Sequence, residues 1–93
     1  MDAENKVDFD PDWIIDLVKV QEPLRKDIID ALKKCKKGYW NSKAWVYFAD
    51  KDGPEWQIAE NFILNHETKG LIVLDLLKNG KIGGIEFVKE IEY

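Results

Sequence analysis

The chain is poor in the residues from which most catalytic and metal centres are built. A single cysteine, Cys35, among 93 residues excludes an internal disulfide framework and a four-cysteine zinc site. The only histidine, His66, lies in the polar stretch Asn65-His66-Glu67-Thr68. One histidine cannot complete the common zinc sites without carboxylate help, and no H-x-x-E-type spacing accompanies it. Ser42 lacks a G-x-S-x-G setting. The glycines at 80, 83 and 84 do not make a phosphate loop, because no helical pattern follows them. No apolar run approaches the ~20 residues that span a bilayer. The opening residues MDAENKVDFD are acidic and unlike a secretory leader, so the expected location is cytoplasmic, with no membrane partner. No low-complexity stretch and no repeat of solenoid length occurs. No metal site and no cofactor motif is read.

What the chain does contain is charge in blocks and many aromatics. With 45% hydrophobic and 34% charged residues it has the profile of a folded domain, and residues 1–93 are read as one. The net charge of −4 is uneven. Residues 1–32 carry nine acids and four bases, residues 33–43 five lysines and no acid, and residues 44–93 nine acids and five lysines. The overall sign makes nucleic acid an unlikely partner. Lys33, Lys34, Lys36, Lys37 and Lys43, with Tyr39 and Trp40 beside them, nevertheless form a candidate basic patch. The same lysines also suit the C-terminal end of a helix dipole.

Period and punctuation predict a helical segment over residues 10–37. Asp10-Pro11 opens a helix as cap and first-turn proline, and Trp13, Ile14, Leu17 and Val18 share one stripe. Pro23 breaks the chain and starts a second helix with Leu24, Ile28, Leu32 and Cys35 on its apolar face. That stripe makes Cys35 a buried structural thiol rather than a nucleophile. After Gly38 the period becomes two, and residues 43–88 read as an antiparallel sheet. Strands are expected over Lys43–Ala49, Trp56–Leu64, Leu71–Leu77 and Ile82–Val88, with Asp50–Pro54 and Asn79-Gly80 as turns. The expected class is α+β: two helices packed on a four-stranded antiparallel meander. A two-residue Asn79-Gly80 turn pairs Leu76 with Gly83, Leu74 with Ile85 and Ile72 with Phe87 on the helix-covered face. Leu71, Val73, Asp75 and Leu77 then face Val88, Glu86, Gly84 and Ile82 on a second, mixed face. Gly84 is read either as room for Asp75 or, with Gly83, as a bulge.

The stretch from Val73 to Val88 resembles the closing hairpin of a family of small bacterial domains of unknown function, number 2283. The likeness rests on Asp75, Gly80, Gly84, Ile85 and Glu86, and on Tyr39, Val46 and Tyr47 in an earlier strand. It covers about residues 39–88. Ala44 stands where the family has an Asp. The resemblance implies a small β-meander and no settled activity.

Two groups of residues point to function. Asp75 and Glu86 on one sheet face are a candidate acidic or ligand site, as an acid–base pair or as plain solvated charges. Trp13, Trp40, Trp45 and Trp56 are more tryptophan than so small a core needs. Trp45, Tyr47, Trp56, Phe62, Val73 and Ile82 are therefore interface candidates on the mixed face. No catalytic residue is assigned. The expected function is an acidic, non-catalytic protein-interaction module, homodimeric, whose partner could also be a second protein such as a toxin. The alternatives are a small ligand-binding protein or enzyme with an aromatic pocket at Asp75/Glu86, and a nucleic-acid binder acting through the lysines.

Overall fold

A computed structural model describes residues 6–91. The reading of the acidic opening rests partly on residues 1–5, which lie outside the described residues. Helix α1 spans Asp12–Gln21 and buries Ile14, Ile15 and Val18. Asp10 Oδ1 accepts from the Asp12 N–H (2.9 Å), and the Pro11 carbonyl accepts from Ile14 and Ile15. The Asp-Pro pair thus satisfies backbone donors that a helix start leaves over. Helix α2 spans Lys26–Lys33 and buries Ile28, Ile29, Ala31 and Leu32. It begins later than expected. Pro23 and Leu24 form a turn, and Leu24 is 89% exposed, off the apolar stripe on which the sequence placed it.

Arg25 stands at the cap position of α2 and points its side chain at the sheet. Its guanidinium donates to both carboxylate oxygens of Glu60 (2.9 and 2.7 Å) and to Asp27 (3.1 Å), and it lies 5.1 Å from the Phe62 ring centre. A fork-to-fork pair of this kind fixes orientation as well as distance. It ties the entry of α2 to the sheet.

The α+β class with two helices and an antiparallel sheet holds, but the sheet has six strands rather than four. They are β1 Val7–Asp8, β2 Lys37–Ser42, β3 Trp45–Tyr47, β4 Ile58–His66, β5 Gly70–Leu77 and β6 Ile82–Phe87, in the order β1-β2-β3-β6-β5-β4. Every pairing is antiparallel. Lys37 to Ser42, read as helix end and linker, is a strand that hairpins onto β3. Strand β3 then pairs with β6, not with the next strand in the chain. Residues 48–57 are long enough to cross the end of the sheet. They are held there by Phe48 and Ala49 N–H groups donating to the Gly83 carbonyl (2.8 and 3.2 Å).

The closing hairpin keeps the expected pairs Ile72–Phe87, Leu74–Ile85 and Asp75–Gly84. Its tip differs. Gly80 has φ +85° and Asn79 does not have positive φ, so the turn is not type I′. Gly80 N–H donates to Leu77 O and Leu77 N–H to Lys81 O, both at 2.9 Å, which closes a three-residue loop with glycine in the left-handed position. Leu76 consequently faces Ile82, and Gly83 is the extra residue of a bulge.

The helices cover the face formed by Val46, Phe62, Leu64, Ile72, Leu74, Ile82, Ile85 and Phe87. Phe62 and Ile82, expected on the mixed face, belong to this core. For Ile82 the cause is the bulge, which shifts its partner by one residue and turns its side chain over. For Phe62 it is pairing with Leu74, which sets it on the helix side. No helix of the described residues is long and apolar enough to cross a membrane.

Candidate binding site on the open face of the sheet

The register lays out the face away from the helices as two adjacent rows. One row reads Ile63, Val73, Glu86, Trp45 across β4, β5, β6 and β3. The next reads Asn61, Asp75, Gly84, Tyr47. Asp75 and Glu86 are therefore diagonal neighbours on one face, and the aromatics of β3 flank them because β3 pairs with β6. The Cβ of any residue at 84 would lie 3.2 Å from Trp45 Nε1, Tyr47 Cδ1 and the Val46 carbonyl. The glycine admits the aromatics rather than Asp75, which resolves why it is there.

The aromatics form a continuous cluster. Trp45 stacks on Tyr47 (5.4 Å between centres, 28°), and Trp56 meets Tyr47 edge-on (5.7 Å, 73°). Trp56 comes from the 48–57 crossing and, with Leu77, closes over Gly83. Lys51 of the same segment sets its Nζ 4.8 Å from the Trp45 ring centre and 5.8 Å from that of Tyr47. This is cation–π distance.

Asp75 sits beneath this cover and is 4% exposed. Its Oδ1 accepts from Asn61 Nδ2 at 2.7 Å. Neither its Oδ2 nor the buried Trp45 Nε1 has a hydrogen-bond partner among the described residues. Burial pushes the Asp75 carboxyl above the usual carboxylate range. The Asn61 amide opposes that rise, Glu86 adds to it by like charge, and Lys51 opposes it. A groove of about 620 Å³ adjoins the cluster, lined by Ser42, Lys43, Ala44, Trp45, Glu86, Glu90 and Ile91.

The interface candidates separate. Trp45, Trp56 and Val73 are half-buried on the open face, Tyr47 is buried in its aromatic cluster, and Phe62 and Ile82 are in the helix-side core and offer no surface. Exposed apolar side chains on the open face are Ile63 (60%) and Leu71 (46%), which the sequence reading did not single out as interface residues in the case of Ile63. Its alternation with Phe62 and Leu64 was the available signal. Lys51 and Asn61 were also missed, since nothing local ties either to Asp75.

The basic patch is dispersed and partly matched by acids. Lys33 pairs with Asp30, Lys37 with Asp8 and Lys43 with Glu90, at 3.8 to 4.0 Å, while Lys34 and Lys36 are exposed. Tyr39 and Trp40 lie in β2, and Trp40 stacks on Phe87 (5.8 Å, 21°), as Trp13 does (6.1 Å, 24°). These rings line a second groove of about 410 Å³ at the rim of the helix-side core. Cys35 is buried with its Sγ 3.6 Å from the Ala31 carbonyl, and burial pushes its thiol up to about 12, so little thiolate forms at neutral pH. His66 Nδ1 accepts from the Thr68 and Lys69 N–H groups (3.1 and 3.0 Å), and its ring meets Trp13 edge-on. Among the described residues no three His, Cys, Asp or Glu side chains gather as a metal site would require. No family model, no curated protein and no solved structure matches the chain.

Proposed function

We propose that the chain is a non-catalytic interaction module whose working surface is the open sheet face, and that it pairs with a second copy of itself there. The observation that carries this reading is the apolar strip of Ile63, Leu71 and Val73, which borders β4, the nine-residue strand at the end of the sheet. Apolar surface beside an end strand, whose outer edge the Gln21 amide caps only at Asn65, favours association, and a two-fold axis hides it with the same patch. The likeness of residues 39–88 to the small-domain family belongs to the same proposal. What supports it is the meeting of Asp75, Gly84 and Glu86 in one patch. The test is sedimentation velocity at micromolar concentration. A species near twice 10.9 kDa, reduced to one by Ile63→Glu, is the expected result. A wild-type protein that sediments as one chain overturns the dimer.

A second reading is favoured by the Asp75 Oδ2 and Trp45 Nε1 atoms, which are buried without partners. Buried polar groups are ordinarily satisfied. On this reading the acid–aromatic cluster takes a polar or cationic group from a ligand or a basic protein. The expected result is a chemical shift of the Trp45 indole proton on addition of such a group. An indole signal unmoved by any amine or alcohol removes this reading.

A further inference from the structure

The acid–aromatic cluster contains a cation that belongs to the protein itself. Lys51 Nζ stands over Trp45 and Tyr47, the two stacked rings of β3, and its charge bears on Asp75. Trp56 supplies a third ring at the edge. Two carboxylates, Asp75 and Glu86, adjoin the rings. One of them is nearly fully buried with one oxygen unpartnered. A buried carboxylate oxygen without a donor is costly, and a single exposed lysine does not match two acids.

The geometry points to an ammonium-recognition site formed by Trp45, Tyr47, Asp75 and Glu86, whose ring faces Lys51 of the 48–57 crossing covers in the free protein and which a lysine side chain from a basic partner takes when bound. This rests on the reading of the open face as a binding surface, not on the dimer. Four features support it. The stacked rings present faces to a cation, and an ammonium held over indole and phenol is stabilised without losing all its water. Asp75 Oδ2 is an acceptor with nothing donating to it, and an ammonium brings three donors. Lys51 is itself a primary ammonium on an alkyl stem, so the contact the protein makes internally defines the class of group it accepts from outside. The acidic balance of the chain, −4, suits a basic partner.

Self-occupation lowers apparent affinity by the fraction of molecules in which the site is taken. Lys51 lies on the surface, in a segment with no helix or strand of its own, so its side chain can leave without unfolding the sheet. Removing its charge therefore opens the site.

The test uses the full chain, n-butylammonium as the probe and n-butanol as its neutral counterpart, and follows the Trp45 indole proton by NMR. Lys51→Met keeps the stem and removes the charge. The expected result is saturable binding of butylammonium to Lys51→Met, about tenfold tighter than to wild type, with no comparable shift from butanol. Adding Asp75→Asn or, should that double variant fail to fold, Glu86→Gln to Lys51→Met should weaken it again. Equal affinities for wild type and Lys51→Met overturn the self-occupied site. Equal responses to butylammonium and butanol show an apolar patch instead, and so does binding that survives loss of the carboxylate. No saturable shift in any variant overturns the site itself. Sedimentation of the same samples separates this from the dimer: a single-chain species that binds butylammonium keeps the site and loses the dimer, and a dimer that does not bind it does the reverse.

Discussion

The two faces of the sheet are made by the same strands, alternating residue by residue, and they solve opposite problems. On the helix side, Ile72, Leu74, Ile85 and Phe87 meet α1 and α2 in an all-apolar layer with no polar atom to satisfy. On the open side, residues 48–57 bring Lys51 and Trp56 against the rings that flank a buried carboxylate. The first face is held mainly by area, which is non-directional and tolerant, with the Arg25–Glu60 pair fixing the entry of α2 at its margin. The second depends on particular polar pairings, two of which are left open at Asp75 and Trp45. The fold is therefore anchored on one side and specialised on the other, and substitutions should separate the two.

The largest effect belongs to the helix side. Leu74 is fully buried, so Leu74→Ala should cost about 2–5 kcal/mol by urea denaturation, while the exposed Lys78→Ala should cost less than about 0.5. Similar small losses from both would mean that the helix-covered layer does not anchor the fold.

Gly84→Ala should come next. The new methyl meets Trp45, Tyr47 and the Val46 carbonyl at 3.2 Å, and backbone cannot yield as a side chain can. A cost of about 1–3 kcal/mol is expected, the usual range for overpacking. It should be accompanied by a change in near-ultraviolet circular dichroism as the stacked rings shift. An unchanged aromatic spectrum would show that the glycine is not what lets the cluster close.

How much of this contrast was legible in the sequence depends on how local each contact is. The alternation of Leu71–Asp75 against Gly84–Phe87 carried both faces of that part of the hairpin, including the shared face of Asp75 and Glu86, but not Ile82 beyond the bulge. Strands β1 and β2 were not legible. Val7-Asp8 is too short to show a period, and Lys37-Gly38 at the head of β2 reads as the end of a helix. The neighbour of β3 was equally hidden. Asp50–Pro54 has turn composition, but composition does not reveal that the longer segment crosses to β6. That one non-local pairing decides which side chains gather at Asp75. The hairpin tip shows a subtler limit. Asn79-Gly80 suits a type I′ turn, but Asn79 Oδ1 accepts from the Lys81 N–H (3.0 Å) in the three-residue loop, so the same pair serves another turn.

A smaller effect should come from the open face, and its sign is unusual. Asp75 has its carboxyl raised by burial, so the folded state binds a proton more tightly than the unfolded chain. Stability then falls as pH climbs from about 4, the ordinary carboxylate value, through the raised folded value. Asp75→Asn keeps the acceptor for Asn61 and removes the buried charge. It should raise the melting temperature at pH 7, with the gain shrinking towards pH 4. A variant that is less stable at pH 7 would show that the ionised carboxylate is paired after all.

The smallest effect is expected at Glu60, whose pH dependence runs the other way. Its carboxyl lies below the usual range because Arg25 donates to it, so the pair stabilises the fold above the ordinary carboxylate value and is lost as pH falls through the lowered one. Both side chains are partly exposed, which screens the interaction and holds its worth below about 1 kcal/mol. Glu60→Gln should therefore cost little at pH 7, and less still as pH falls below the ordinary carboxylate value and Glu60 itself loses its charge. The two variants can be read against each other in parallel melts across that range. Asp75→Asn should gain and Glu60→Gln should lose at neutral pH, and both differences should narrow in acid. If the two moved in the same direction at pH 7, the carboxylate on the open face would be held as the one at the helix entry is, by a donor to each oxygen. The Asp75 oxygen offered to an incoming ammonium would then already hold a donor.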